Sequence, residues 1–255
     1  MSKKKLVVVQ LSGGNDYLNC IVPYNDPNYV DNRPNVRITE DRVIPLGKGL
    51  GMNPAMQSIK ELYDQGKVAI IHGVGYPVPS RSHFRSMDIW HTAEPTKVGQ
   101  EGWLGNVINQ MYPNHDNVVA AVNFGSGLPR ALVAQGAPVA SVTDLETYGL
   151  MSHMGESGQR YEALQAFKNI YTQAIGSGPV MDYLGKTGLD ALKGAEILAT
   201  VTEKYSSNVE YAQDSFGKAV KGAAQVLQAD IGTRICYTMH DGFDAHTNGI
   251  ALQEG

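Results

Sequence analysis

Cysteine, long apolar runs and a dominant charge sign are all scarce in this 255-residue chain, and each scarcity closes off a class of function. The two cysteines, Cys20 and Cys236, lie far apart and in no CxxC or Cys/His ligand spacing. Neither a disulfide framework nor a thiolate metal site is expected, and both read as buried thiols. No apolar stretch approaches the roughly 20 residues of a membrane span, and Leu6 to Leu11 is too short for a signal-peptide core. The chain therefore reads as having no membrane span and as cytoplasmic as written, or as exported (periplasmic or extracellular) if a leader was removed upstream of Met1. The formal net charge is -4, with Lys and Arg scattered outside the Lys3-Lys4-Lys5 start. Without a basic stripe, nucleic acid is not an expected partner. The glycine clusters Gly47-Lys48-Gly49-Leu50-Gly51 and Gly125-Ser126-Gly127 form neither GxGxxG in a strand-to-helix setting nor GxxxxGK[ST], which argues against those routes to nucleotide binding. No GxSxG elbow occurs, which counts against an ordinary α/β-hydrolase.

What is present is a globular composition, 42% hydrophobic and 18% charged, long enough to bury a core. Leu6 to Leu11 is a β-branched run that breaks at Ser12-Gly13-Gly14-Asn15-Asp16, a pattern predicting a buried strand that runs into a tight loop. Asn53-Pro54 signals a helix start, followed by Met56, Ile59, Leu62 and Tyr63 on one face and Gly66 as terminator. Lys67 to Val74 reads as a second buried strand, and Ser82 to Trp90 as a helix. Val118 to Phe124 and Arg130 to Ala134 read as further short strands. Strand, helix, strand is the parallel-sheet signature, so the fold class is α/β with a mostly parallel sheet. From Ser157 to Ile231 apolar residues recur at helical spacing with no strand between them, which predicts a helical insertion or cap over 157–231. Thr233 to Met239 is again strand-like and ends at His240-Asp241-Gly242-Phe243-Asp244-Ala245-His246.

Three clusters carry residue types suited to chemistry. Asp16 sits on a glycine-rich loop after a strand, from which a carboxylate reaches a metal or ligand, or hydrogen-bonds its own turn. In Ser80-Arg81-Ser82-His83-Phe84-Arg85 a serine at a helix N-terminus has backbone N–H groups beside its hydroxyl, which suits attack on an anionic ester, with Arg81 and Arg85 neutralising oxygens. The competing reading makes the serine an N-cap. Asp244 and His246, supported by Asp241 and His240, project from a strand end at i and i+2, pointing two metal-ligand types one way, or else form a polar loop. His72 reads as a core or supporting histidine.

In order along the chain, VVVQLSGGNDYLNCIVPY, MNPAMQSIKELYDQGKVAIIHGVGYPVPSRSHF, GWLGN and DGFDAHTN resemble the bacterial domain of unknown function 1501 family, a sulfatase-like part of the alkaline phosphatase superfamily. The resemblance implies a three-layer α/β/α sandwich, a single domain over 1–255, with divalent ions (zinc, manganese or calcium) at the C-terminal edge of its sheet. By resemblance Asp16, Asp244 and His246 are metal ligands, while Ser82 and His83 match the family's Ser-His-Phe motif with Ser82 as nucleophile. The implied function is metal-dependent hydrolysis of small anionic phosphate or sulfate esters. The alternative is a non-catalytic binding or assembly module on the same fold. Two departures stand out. Ser12 occupies the strand end where many superfamily members carry their first metal-binding aspartate. The family's Glu-Phe-Gly-Arg and Thr-Asp-His-Gly motifs do not occur, so the domain is expected to be C-terminally truncated, incomplete in ligands, inactive alone, and prone to homo-oligomerise through an uncovered sheet edge.

Overall fold

In the computed structural model, which describes residues 4–145, 148, 157–202 and 205–244, seven strands and eight α-helices are found among the described residues. In chain order the strands are β1 (Leu6–Leu11), β2 (Ile21–Val22), β3 (Ile44–Gly47), β4 (Leu50–Met52), β5 (Ala121–Phe124), β6 (Val139–Val142) and β7 (Ile235–His240). The helices are α1 (Tyr17–Cys20), α2 (Pro27–Asn32), α3 (Gln57–Asp64), α4 (His83–Thr92), α5 (Trp103–Met111), α6 (Ser157–Ala174), α7 (Pro179–Ala199) and α8 (Ser215–Gln228). The chain divides into two units: Met1–Gln10 with Ser80–Met239, and Leu11–Pro79 with His240–Gly255.

The first unit is built on a four-stranded sheet of order β1-β7-β5-β6. β5 pairs in parallel with both β6 and β7. The β1–β7 bonds Leu6 N–H to Arg234 O and Ser12 N–H to His240 O advance in the same direction on both strands, which is also parallel. Side chains alternate across this sheet. Val122 and Phe124 join Leu198, Val201, Ala223 and Val226 of the α7–α8 side, whereas Ala121, Ile235 and Tyr237 join Leu104, Ile108 and Leu132 of the α5 side. The central strands are therefore covered by helices on both faces, the condition under which parallel strands read as unbroken apolar runs. Each fully buried Leu or Val in these clusters stabilises the fold by roughly 1.5–3 kcal/mol.

β1 departs from its expected burial. Leu6, Val7, Val9 and Leu11 are 40–45% exposed, because the strand lies at the sheet edge and has only β7 beside it. Lys67 to Val74 is a larger correction: it forms no strand, and Ile71 and Val74 remain exposed. β-propensity is a local preference that only a ladder partner realises, and here Lys67 N–H closes back on Leu62 O at 3.0 Å. Arg130 to Ala134 is not a strand either. Its backbone satisfies itself in a 3-10 turn over Arg130–Leu132, with Leu132 N–H on Pro129 O and Val133 N–H on Arg130 O. The predicted helix starts hold: Asn53 accepts Ala55 N–H at 2.9 Å, and Ser82 caps α4. The α3 face of Ile59, Leu62 and Tyr63 stays exposed. The run after Ser157 folds as α6, α7 and α8, with no strand between them among the described residues.

The second unit carries an antiparallel sheet of order β2-β4-β3 over a small cluster of Val22, Tyr29, Ile38 and Val43. Cys236 is buried and its thiol is pushed up to about 12 by that burial, while Cys20 is only partly buried; both are free thiols. Among the described residues no helix is long and apolar enough to cross a membrane.

Candidate functional site

The loop after β1 and the tip after β7 are stacked in the second unit. Ser12 N–H donates to His240 O at 2.8 Å, and Phe243 N–H donates to Ser12 O at 3.2 Å. The tip thus folds back over the glycine loop. Gly13 makes this contact possible: at φ +106° it holds a conformation that side chains rarely adopt, and a Cβ there would lie 2.3 Å from Asp244 N. Asp244 is exposed at this point, and the ring of His240 meets that of Phe243 edge-on at 5.3 Å. The first and third polar clusters of the sequence therefore meet at the C-terminal ends of two parallel strands, where open α/β sheets bind ligands. His246, the partner expected for Asp244, lies outside the described residues.

Asp16 stands at the start of α1 but its side chain makes no cap bond. Its Oδ2 instead accepts from Arg33 Nη1 at 2.5 Å. Arg33 is steadied in turn by the ring of Tyr29, 5.8 Å from its guanidinium carbon, and Tyr29 is buried with its hydroxyl donating to Asn19 and accepting from Ile38 N–H. A cation arriving at Asp16 therefore meets a carboxylate already neutralised by Arg33. His72, expected at a strand end, is exposed and shares a 2.7 Å hydrogen bond with the Tyr17 hydroxyl. Cys20 Sγ accepts from Asn15 at 3.2 Å, and burial raises its thiol above the usual range.

Among the described residues no group of three His, Cys, Asp or Glu side chains is arranged to hold a metal ion. Asp16 and Asp244 nonetheless offer hard carboxylate oxygens from two stacked loops, a donor type that suits calcium, manganese or zinc.

The serine cluster belongs to the first unit. Ser82 has extended backbone angles and its Oγ accepts Arg85 N–H at 3.4 Å, so it is the N-cap of α4. Ser80 Oγ accepts Ser82 N–H at 3.1 Å, and Ser86 Oγ donates to Ser80 O at 3.0 Å, which pins the entry to the helix. Ser82, His83 and Arg81 are exposed. Arg85 is engaged locally: it pairs with Asp88 and donates to the carbonyls of Glu94, Pro95 and Lys97, bracing the chain beyond the end of α4.

Beside this helix start lies a hollow of about 330 Å³ lined by His83, Phe84, Met87, Asp88, His91 and Arg130. Asp88 is its electrostatic centre. Its side chain is 12% exposed and lies between Arg85 and Arg130, with Oδ1 2.6 Å from Arg130 Nη1 as a charge contact outside hydrogen-bond geometry. His91 Nε2 is 2.9 Å from Gln10 Oε1, which also accepts from the Tyr237 hydroxyl. Since that oxygen only accepts, Nε2 carries the proton and Nδ1 is the basic nitrogen. Burial, and then the Arg130 charge, lower the His91 pKa below the usual histidine range against the pull of Asp88, so the ring is neutral at pH 7.

Asp88, His91, Arg130 and Gln10 were not singled out as sequence candidates. Asp88 and His91 had a local signal, because His91 recurs with His83 and Met87 at i, i+4 and i+8, and Asp88 lies at i+4 between Phe84 and His91 at i and i+7. Arg130 and Gln10 had none, since their contacts to α4 span 42 and 81 residues.

No family model, characterised protein or solved structure matches this chain. The chemistry is therefore read from geometry: two carboxylates on stacked loops in one unit, and a helix-capping serine beside a hollow holding a guanidinium and a neutral imidazole in the other.

Proposed function

We propose that the chain is a metal-dependent hydrolase of small phosphate or sulfate esters, of the domain of unknown function 1501 family and with the three-layer α/β/α architecture of the alkaline phosphatase superfamily. The observation that supports this most is the packing of Asp244 on Gly13, which gathers two acidic clusters at one end of parallel strands. In this reading Ser82 Oγ is the nucleophile. The N–H groups of the first turn of α4 favour the developing negative charge on that oxygen, and Arg81 and His83 face the anionic ester. His91 is not the base for Ser82, because nine residues of helix separate them by about 13 Å along the axis. Asp16, Asp244 and His246 are the residues that would hold a divalent cation, and such an ion would supply neutralisation of anionic charge.

A binding or assembly module on the same fold is the second reading. It is favoured by the local work of the helix start, where Ser82 caps α4 and Arg85 braces three carbonyls. The two readings separate on Ser82→Ala. Assayed in the full-length protein on aryl phosphate and aryl sulfate esters with zinc, manganese or calcium, the hydrolase reading expects turnover with Ser82 present and a loss of about a thousandfold or more in the variant. The lost cap alone lowers stability by only ~1 kcal/mol. Full turnover in Ser82→Ala would exclude it as nucleophile, and metal-independent binding of a partner would favour the module.

A further inference from the structure

The hollow beside α4 holds about 330 Å³, near the lower end of the ~300–1,000 Å³ of small-ligand sites. Two of its lining residues, His83 and Phe84, directly follow Ser82 in the chain. An ester placed at that hydroxyl therefore has its alcohol part beside the first turn of the helix. Phe84, Met87 and His91 recur at i, i+3 and i+7, which extends the same wall along two turns of α4. Phe84 is 91% exposed. A phenyl ring left this open stays in unfavourable contact with water until another apolar group covers it.

The lining favours an aromatic ring over a sugar or an alkyl chain. His83, Phe84 and His91 supply aromatic rings, Met87 a thioether and Arg130 a guanidinium, and each of these groups gains most from contact with a π-system. Partners for hydroxyl groups are few, because the polar atoms of the wall are largely engaged. Asp88 lies between Arg85 and Arg130, Arg130 also donates to Gly99 O, and His91 Nε2 is held by Gln10 Oε1. A polyol pressed against this wall would leave hydroxyls unpaired. The same pairing makes Asp88 a poor site for a cation, since two guanidinium groups outnumber its single carboxylate.

We propose that this hollow receives the aromatic ring of an aryl ester, with Phe84 as its main contact, so that the substrate class is aryl phosphates or sulfates rather than sugar or alkyl esters. The assignment of that ring to an ester rests on the hydrolase reading; the capacity of the hollow for a ring does not. Two measurements on the full-length protein keep the two apart. Ligand-observed NMR titration with p-cresol, the alcohol part alone, should show saturable binding, with cyclohexanol at least about fivefold weaker and Phe84→Ala weakening p-cresol roughly tenfold. Since Phe84 is so exposed, the variant keeps its Tm. In steady-state assays Phe84→Ala should lower kcat/KM roughly tenfold for phenyl phosphate or phenyl sulfate, and at least about fivefold less for the methyl ester. Comparing each ester with itself across the two proteins removes the intrinsic reactivity of its leaving group. Binding of p-cresol without turnover of either ester would end the hydrolase reading and leave the ring site standing. No saturable binding of p-cresol, equal affinity for cyclohexanol, or undiminished binding in Phe84→Ala would overturn the proposal whatever the turnover, and so would equal losses on the two esters.

Discussion

Gly13→Ala is expected to destabilise the protein by about 3 kcal/mol or more, while Gly14→Ala, one residue along, costs roughly 1–2 kcal/mol. Both glycines have positive φ, +106° and +83°, so both replacements carry backbone strain. Only at Gly13 does the new methyl meet another chain segment, 2.3 Å from Asp244 N and 2.9 Å from Asp244 Cα. Those are backbone atoms and cannot swing aside as a long side chain would. Nothing lies within 4 Å of a Cβ at Gly14. Urea denaturation of the two variants separates the terms, because the strain is common and the collision is not. Equal losses would mean that the tip after β7 does not rest on the loop after β1, and the two acidic clusters would lose the contact that gathers them.

Asp88→Asn is the second large effect. The carboxylate stands between Arg85 and Arg130 and its side chain is 12% exposed. Removing one member of a buried ion pair strands the rest, typically at 3–5 kcal/mol. Here the loss should be about 2–3 kcal/mol, because Arg130 is 41% exposed and water takes up part of its charge. The replacement also removes the group that raises the His91 pKa, so that ring titrates at still lower pH. A cycle with Arg130→Gln identifies the cause. If the charge triad carries the effect, the double variant loses less than the sum of the singles. Strict additivity would mean that Asp88 matters through packing alone.

The legible parts of the fold are those whose causes are local. Ser82 before α4, Asn53-Pro54 before α3 and the apolar spacing of α7 and α8 are decided by neighbours within a turn or two, and the structure has helices there. Lys67 to Val74 is richer in β-branched residues than β5 but has no ladder partner among the described residues, and burial in β1 is limited by its place at the sheet edge. Neither fact is written in a window of eight residues. The β2-β4-β3 sheet leaves almost no pattern, because β2 has two residues and β4 has three.

The site divides the same way. Asp16, Ser82 and Asp244 stand out by residue type and position at element ends. Arg33 on Asp16 and Arg130 on Asp88 are non-local partners that only the folded chain brings in, and they change what each carboxylate can do. The Phe84, Met87, His91 stripe lies in plain helical register, yet its meaning depends on Arg130 beside it.

The direct test is metal binding to the two stacked loops. Titration of zinc, manganese and calcium into the full-length protein, followed calorimetrically, should give stoichiometric binding of at least one ion, with roughly tenfold or greater weakening in Asp244→Asn and in Asp16→Asn. Binding that is undiminished in both variants, or no binding of any of the three ions, would contradict the assignment of these carboxylates as the metal-bearing part of an ester hydrolase.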